Sequence, residues 1–232
     1  MLVDVAFTPD GPGSAPTGIV IDVIRATSTI CQAVSSGYER VLCAAEVDDA
    51  RALRQALGSG TLGGERNNVL IPGFDLGNSP REYVEARDGS LILTTTNGTR
   101  AIVATAARCE RVLVASLMNL DAVVDAARED GEGVLVVCAG VQGALALDDA
   151  YVAGRIVELL DWERTDASEA AARLAATWTD AEEAFRASKS GRNLLQNAPD
   201  LEDDLAFCAR ESAFDVVPRL VSMRDGAAEI AA

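Results

Sequence analysis

Residues 19–36 read IVIDVIRATSTICQAVSS. The apolar start predicts a buried strand, the polar residues that follow predict a turn, and apolar residues at three- and four-residue spacing predict an amphipathic helix. Residues 91–107 repeat this order, so the two stretches form a weak internal echo. Because any two strand-turn-helix units look alike, we expect one domain over residues 1–232, with two α/β subdomains as the alternative.

Units of this kind recur along the chain, so we expect a three-layer α/β/α fold with a mainly parallel or mixed sheet and a helical C-terminal part. Strands are predicted at residues 2–7, 19–24, 40–44, 90–95, 111–115, 133–138 and 216–221. Helices are predicted at residues 28–36, 47–57, 80–86, 100–107, 120–129 and 148–160. Two glycine-containing stretches, 9–17 and 62–77, are predicted to be loops, and the second is long enough to be functional.

The chain has 232 residues and no histidine, which excludes Ser-His-Asp triads, histidine phosphatases and HExxH zinc sites. Lys189 is the only lysine, and no Walker A motif is present, so Schiff-base chemistry and P-loop chemistry are not expected. No cysteine is followed by arginine six residues later, which excludes a tyrosine-phosphatase loop, and no aspartyl-phosphatase DxDx[TV] signature occurs.

The net charge of −16 argues against nucleic-acid binding, because most of the surface would repel a polyanion. The five cysteines are scattered and contain no CxxC pair, as in proteins of a reducing compartment. No signal peptide or membrane span is recognisable, so we expect a cytoplasmic protein that does not bind membranes. A homodimer is one expectation for an α/β chain with apolar helix faces, although no interface is recognisable.

In open parallel sheets, ligands bind where the carboxyl ends of strands meet the starts of helices. Asp22 ends the second predicted strand, and Arg25, Thr27 and Ser28 follow at the start of the next helix. Hydroxyls and a guanidinium beside a helix N-terminus are typical of an anion site. The structural alternative is that Thr27 or Ser28 is only an N-cap and Arg25 lies on the surface.

The run from 94 to 100, TTTNGTR, offers many short hydrogen-bonding groups, and we interpret it as a phosphate cradle. Its candidate residues are Thr96, Asn97, Gly98, Thr99 and Arg100. The alternative is a threonine-rich strand followed by an Asn-Gly turn and a threonine N-cap.

A second polar stretch surrounds Asn78 and Ser79, which are also candidate substrate-binding residues. A capping box of Ser79, Pro80 and Glu82 explains this stretch without a ligand. It does not explain Asp75 in the preceding glycine-rich loop, where a carboxylate near a cation and a simple turn aspartate are both consistent with the pattern.

Without histidine, a divalent ion would need oxygen ligands, which suit Mg²⁺ better than zinc. The candidate metal ligands are Asp22, Asp75, Asp148 and Asp149. Asp148 and Asp149 also have a structural alternative, since carboxylates at the start of a helix complement its dipole. Cys138 ends a predicted strand and is either an apolar core thiol or a thiolate near a helix terminus.

Several separated segments are distinctive: VIDVIRATSTI at 20–30, GGERN at 63–67, IPGFDLGNSPREY at 71–83, LTTTNGTRAI at 93–102, CAG at 138–140 and LDDAYVAG at 147–154. In this order they resemble the 2-phosphosulfolactate phosphatase (ComB) family over most of the chain. SKSGRNL at 188–194 and DLAFCA at 204–209 also resemble it, although Ser190 stands where the family usually has a histidine.

The resemblance implies a Mg²⁺-dependent phosphatase that hydrolyses 2-phosphosulfolactate, or a related 2-phospho-hydroxyacid, to the hydroxyacid and inorganic phosphate. In methanogens this step serves coenzyme M synthesis. For that activity we take Asp22, Arg25 and Asp149 as catalytic candidates, with Asp22 and a second carboxylate on the metal. Arg25 or Arg100 would pair with the carboxylate or sulfonate of the substrate. The nucleophile stays open between a carboxylate, a thiolate and metal-bound water.

Two other functions are alternatives. One is a non-catalytic binder of phosphorylated or sulfonated hydroxyacids that has lost turnover. The other is a metabolite-repair phosphatase for phosphoglycolate or phospholactate. The sequence leaves the physiological substrate, its stereochemistry and the oligomeric state open.

Overall fold

The computed structural model describes residues 1–87, 89–224 and 227–232. Its strands are β1 (Leu2–Ala6), β2 (Thr17–Ile21), β3 (Arg40–Ala44), β4 (Thr61–Arg66), β5 (Val69–Leu70), β6 (Ser90–Thr94), β7 (Arg111–Ala115), β8 (Val134–Cys138), β9 (Glu163–Arg164), β10 (Arg219–Arg224) and β11 (Ala227–Ala231). Its α-helices are α1 (Ala26–Ser35), α2 (Val47–Leu57), α3 (Gly98–Ala106), α4 (Leu120–Asp130), α5 (Leu147–Leu160), α6 (Asp166–Ala175), α7 (Ala181–Ala187), α8 (Lys189–Asn197) and α9 (Asp203–Cys208).

These strands form one mixed sheet in the order β5-β4-β6-β3-β11-β10-β7-β2-β8-β1-β9. Neighbouring strands are parallel in two parts of this order, β4-β6-β3 and β7-β2-β8-β1-β9. Between them, β10 and β11 form an antiparallel hairpin, in which β11 runs antiparallel to β3 and β10 antiparallel to β7. In the described residues, β10 joins β7 through a single pair, Arg219 and Leu113. The hairpin therefore connects two parallel halves of the sheet.

Helices cover both faces of the sheet, which confirms the predicted α/β/α class. Strand residues alternate between the faces: Val20 packs in a cluster with α1 and α3, and Ile19 and Ile21 pack in a cluster with α4, α5 and α6. Helix α1 contacts β7 and β3, one strand from each half, and α3 contacts β2, β7, β8 and β11. The first residues of α1 and α3 lie close together, so the turns after β2 and β6 are neighbours although several strands separate these two strands in the sheet. In the described part of the chain, no helix has the length and apolar character needed to cross a membrane.

The prediction of a long loop at residues 62–77 is wrong, because most of β4 and all of β5 lie in this stretch. The glycines of this stretch suggested a loop, but Gly63 and Gly64 lie in β4, where neighbouring groups leave no room for a side chain. A Cβ on Gly63 would lie 2.1 Å from the hydroxyl oxygen of Tyr83, and one on Gly64 would lie 2.1 Å from the carbonyl oxygen of Thr94. A side chain at either position would therefore push β4 away from its neighbours.

Two further predictions differ from the structure. The helix predicted at 80–86 is a 3-10 turn at Pro80–Tyr83, closed by the expected capping box of Ser79 and Glu82. The strand predicted at 216–221 begins at Arg219, and β11 follows it although Ala-rich AAEIA has little strand propensity. Pairing with both β3 and β10 stabilises β11, so tertiary contacts override its local preference.

Helix α5, which begins beside the site described below, packs tightly on α6. A Cβ on Gly154 would lie 2.2 Å from the carbonyl oxygen of Ala171 and 2.7 Å from the Cβ of Ala175. We expect Gly154→Ala to lower the free energy of unfolding by about 1–3 kcal/mol, because overpacking outweighs the better helix propensity of alanine. Urea unfolding followed by circular dichroism measures the change.

Gly133→Ala is the matched control, because its Cβ would meet only ordinary contacts at 3.6 Å or more. Equal stability of the two variants would contradict the tight α5–α6 contact.

Candidate active site

A cavity of about 390 Å³ opens at the carboxyl ends of β2 and β6. Its floor comes from the turns at 22–25 and 95–97, and its rim from the β4–β5 turn, the loop after β8 and helix α8. The residues that line it are Asp22, Ile24, Arg25, Glu65, Asn67, Asn68, Asn78, Thr95, Thr96, Asn97, Arg100, Val141, Gln142, Gly143, Ser190, Asn193 and Asn197.

Two helices start side by side on the cavity floor. A Cβ on Gly98, the first residue of α3, would lie 2.5 Å from the Cβ of Ala26, the first residue of α1, and 3.0 Å from Oδ2 of Asp22. Neither helix has an acidic residue in its first turn, and the residues before them, Arg25 and Asn97, give no side-chain cap. The positive ends of two helix dipoles therefore converge here, which favours an anion.

Two buried polar atoms in the cavity wall have no hydrogen-bond partner in the part of the chain that the structure describes. They are Oδ1 of Asn78 and Oγ1 of Thr95, on residues that are 5% and 4% exposed. Buried polar groups are rarely left unpaired without a functional reason. The Asn78 oxygen accepts, so it suits a cation or a hydroxyl donor, whereas the Thr95 hydroxyl can donate to an anion.

Buried carboxyl groups lie beside this anion site. Burial raises the pKa of Asp22 to about 7, and the charges of Asp148 and Glu65 add to the effect. Burial also raises the pKa of Asp148 to about 6, while a hydrogen bond from Ser190 opposes the rise. Carboxylates this close repel one another, so a bound cation would be stabilised here.

Both carboxyl oxygens of Asp149 accept hydrogen bonds from backbone N–H groups. Its Oδ1 accepts from the N–H of Val23 at 2.9 Å, and its Oδ2 accepts from the N–H of Gly140 at 3.0 Å. Burial and the charges of Asp148 and Asp22 raise its pKa, and these two hydrogen bonds oppose the rise. Asp149 thus ties the start of α5 to the turns after β2 and β8, and it does not line the cavity.

Glu65, at the end of β4, is a site residue that the sequence analysis missed. Its Oε1 accepts from the backbone N–H and the hydroxyl of Thr96 at 3.2 and 2.9 Å, and its Oε2 accepts from the N–H of Asn68 at 2.7 Å. The segment GGERN contains it, but the expected loop gave no reason to place its side chain. Its position becomes evident only once β4 pairs with β6.

Asp204 was also missed. The Nη1 of Arg25 donates to Oδ2 of Asp204 at 2.7 Å, and the hydroxyl of Ser79 donates to its Oδ1 at 2.7 Å. Both charged side chains are almost fully buried, at 1% and 0% exposure. Asp204 begins the family-like segment DLAFCA, but it lies on α9 at the end of a run of three acidic residues, and nothing in that run assigned it a partner.

Several predicted site residues line the cavity: Asp22, Arg25, Asn78, Thr96, Asn97 and Arg100. Others support its walls from behind. The Thr27 hydroxyl accepts from the N–H of Asp22, and the Ser28 hydroxyl donates to the carbonyl of Val23. Thr99 and Ser79 are buried outside the lining, and Gly98 provides the close helix contact.

The structure does not bring Asp75 to this group. Its Oδ2 forms an ion pair with Nη1 of Arg54 at 2.8 Å and accepts from the N–H of Leu62 at 2.8 Å. Asp75 therefore fixes the loop against β4, which is the structural alternative for a turn aspartate.

The surroundings of Cys138 favour the apolar core thiol over a thiolate. The side chain is fully buried, and burial raises the pKa of the thiol well above its ordinary value. The thiol stays protonated at neutral pH, so Cys138 is a core residue.

The donors in the wall fit Mg²⁺. Asp22, Glu65 and the unpaired oxygen of Asn78 are hard oxygen ligands. In residues 1–87, 89–224 and 227–232, no three acidic or cysteine side chains are grouped so as to hold a metal. A magnesium ion here would keep water and substrate oxygens as its remaining ligands, as Mg²⁺ usually does in phosphoryl-transfer sites.

Comparison with known proteins identifies the chain. Residues 7–223 match the family described as 2-phosphosulpholactate phosphatase. Proteins named "Probable 2-phosphosulfolactate phosphatase" are similar over nearly their whole length. That of Thermotoga petrophila is 37% identical over 228 residues, covering 95% of this chain and 96% of the relative. That of Synechococcus sp. strain JA-3-3Ab is 39% identical over 224 residues, covering 90% and 91%.

These matches, together with the anion site at the helix starts, place the chain among the phosphoric monoester hydrolases. It belongs to the 2-phosphosulfolactate phosphatase family, as its motifs indicated.

Asp22→Asn should stabilise the metal-free protein. The pKa of Asp22 is higher in the folded than in the unfolded chain, so its ionisation costs stability as pH rises from about 4 through about 7. In EDTA we expect the variant to gain about 1–4 kcal/mol over the wild type at pH 8, and much less at pH 5. Thermal and urea unfolding at both pH values measure this difference. A variant less stable than wild type at pH 8 would contradict it.

Asp204→Asn should destabilise the protein by roughly 3 kcal/mol or more, because it leaves the buried guanidinium of Arg25 without a counter-charge. Asp203→Asn is the control: Asp203 is 76% exposed and pairs with Arg81 at 3.1 Å. We expect the control to change stability by less than about 1 kcal/mol in urea unfolding. Equal losses of unfolding free energy in the two variants would show that the buried Arg25–Asp204 pair stabilises the protein no more than the exposed Arg81–Asp203 pair.

Proposed function

We propose that this chain is a Mg²⁺-dependent phosphatase that hydrolyses 2-phosphosulfolactate, or a related 2-phospho-hydroxyacid, to the hydroxyacid and inorganic phosphate. The observation that carries this proposal is the junction of two helix starts at Gly98 and Ala26, beside the buried carboxyl of Asp22. The names of the relatives support the choice of substrate.

The phosphoryl group would bind where α1 and α3 begin. Backbone N–H groups in the first turn of α3, the Thr95 hydroxyl and the guanidinium of Arg25 are the donors on that side of the cavity. In α1, the N–H groups of Ala26 and Thr27 donate to the carboxyl and the carbonyl of Asp22. Donors held in place before the reaction stabilise the charge that develops on the phosphoryl oxygens. Asp204 and Asp149 hold Arg25 and the β2 turn in position.

Asp22 and Glu65, with Oδ1 of Asn78, would be the residues that hold Mg²⁺ in this cavity. When bound, the ion neutralises phosphoryl oxygens and makes a nearby water more acidic. It would also offset the repulsion among the buried carboxylates, so that Asp22 is ionised at neutral pH.

Two routes agree with this geometry, and both give Asp22 the central role. In one, its carboxylate attacks phosphorus, the ester P–O bond breaks, the leaving alkoxide takes a proton from solvent, and water then hydrolyses the acyl phosphate. In the other, Asp22 takes the proton from a water that attacks phosphorus directly, while the ester P–O bond breaks and the leaving alkoxide takes a proton from solvent. Borohydride reduction during turnover distinguishes them, because an acyl phosphate on Asp22 would be reduced to homoserine, whereas direct attack by water leaves Asp22 unmodified.

The deciding experiment measures phosphate release from 2-phosphosulfolactate, 2-phospholactate, phosphoglycolate and 3-phosphoglycerate, each with Mg²⁺ and with EDTA. We expect 2-phosphosulfolactate to give the highest kcat/KM, EDTA to abolish release, and Asp22→Asn to lower kcat at least about 10³-fold. Asp75→Asn is the control, because Asp75 lies outside the cavity, and it should keep most of the activity.

Higher turnover on phosphoglycolate or phospholactate would instead favour a repair phosphatase. Binding of the esters to folded protein without phosphate release would favour a non-catalytic binder. Activity that EDTA leaves unchanged would contradict the metal requirement.

A further inference from the structure

Two arginines line the cavity, and they differ in their surroundings. Arg25 is buried and paired with Asp204, so its position is fixed. Arg100 is exposed, and among the described residues its guanidinium makes no hydrogen bond or ion pair. Arg100 is thus the cation of the cavity wall that is available for an anionic group of a ligand.

The position of Arg100 is unfavourable unless an anion binds. It lies in the first turn of α3, where the helix dipole is positive and no acidic residue compensates. Folding alone gives no reason for a cation at this point. An acid group on a ligand would be attracted by both the guanidinium and the end of the helix.

A second, smaller pocket adjoins the main cavity at Arg100. It has a volume of about 110 Å³ and shares Asn97, Arg100 and Gly143 with the main cavity. Pro9, Asp10, Ala104 and Ala139 complete its lining. Its other charged residue, Asp10, is exposed, so water and salt screen its repulsion of an anion. The shared wall makes this pocket an extension of the main cavity beyond Arg100.

We propose that Arg100 and this smaller pocket recognise an acid group on the carbon skeleton of the substrate, a carboxylate or a sulfonate, and so set specificity. The inference rests on the proposed function, since it places the phosphoryl group at the junction of α1 and α3. Arg100 follows Gly98 by two residues, so its guanidinium is within reach of a group a few bonds from the phosphoryl group. Arginine pairs well with planar and tetrahedral oxyanions through two parallel hydrogen bonds.

The test compares substrates with and without each acid group. 2-Phosphosulfolactate carries both, 2-phospholactate a carboxylate, the phosphate ester of 2-hydroxyethanesulfonate a sulfonate, and glycerol 2-phosphate neither. We expect Arg100→Gln to lower kcat/KM about 10- to 100-fold on 2-phosphosulfolactate and on the ester that carries the recognised group. Glycerol 2-phosphate should change less than about threefold, because it lacks the group that Arg100 would bind.

Arg173→Gln is the matched control, since the Arg173 side chain is 81% exposed on α6, outside both pockets. It should leave all four kcat/KM values unchanged. Thermal unfolding should show that both variants fold, because both side chains lie at the surface.

Two results would overturn the inference. An equal loss on all four substrates would mean that Arg100 acts on the phosphoryl group, and no loss on any of them would mean that it binds no part of the substrate. Calorimetric titration with sulfolactate, which has both acid groups and no phosphate, is independent of turnover. If the wild type hydrolyses none of the esters, the proposed function fails. Weaker binding of sulfolactate to Arg100→Gln than to the wild type would still support the acid-group site. Equal binding to the two proteins would overturn it.

Discussion

The close contact between the first residues of α1 and α3 is the constraint on which the site depends. Both helices pack in one core cluster on the same face of the sheet, and only a glycine at position 98 lets them start within van der Waals contact beside Asp22. Two helix dipoles then act on one small volume, where backbone N–H groups provide positive potential without adding a mobile side chain. A chain with 36 acidic and 20 basic residues can in this way bind an anion locally while its overall charge stays strongly negative.

Charge around this junction is arranged in two different ways. The positive charge of Arg25 is neutralised by Asp204, so Arg25 contributes directed hydrogen bonds more than net charge. Among the residues that the structure describes, Asp22 and Asp148 form no ion pair, and burial raises the pKa of each. This arrangement costs stability in the absence of a cation, as is common where active sites are organised for binding rather than for folding. Asp149 contributes through the backbone, because its two hydrogen bonds hold the turns that carry the other groups.

Much of this organisation was predictable from short stretches. The units at 19–36 and 91–107 predicted strands, turns and helices close to those observed, and Asp22, Asn97 and Arg100 line the cavity as expected for residues at the carboxyl ends of strands. Predictions failed where the local pattern and the tertiary contact disagree. The glycines of β4 resemble loop residues but allow close packing against Tyr83 and Thr94, and the alanines of β11 form a strand because two neighbours pair with it.

Local periodicity and composition are sufficient for the α/β class, for the polar turns after β2 and β6, and for the exclusion of histidine chemistry, because each depends on residues that are near one another in the chain. Contacts between residues far apart in the chain determine the role of each acidic residue. Glu65 faces Thr96 only through the pairing of β4 with β6, Asp204 reaches Arg25 from 179 residues away, and Asp75 binds Arg54 instead of joining the cavity. A carboxylate becomes a ligand, a counter-charge or a loop anchor according to which groups surround it in three dimensions, and short-range sequence patterns do not contain that information.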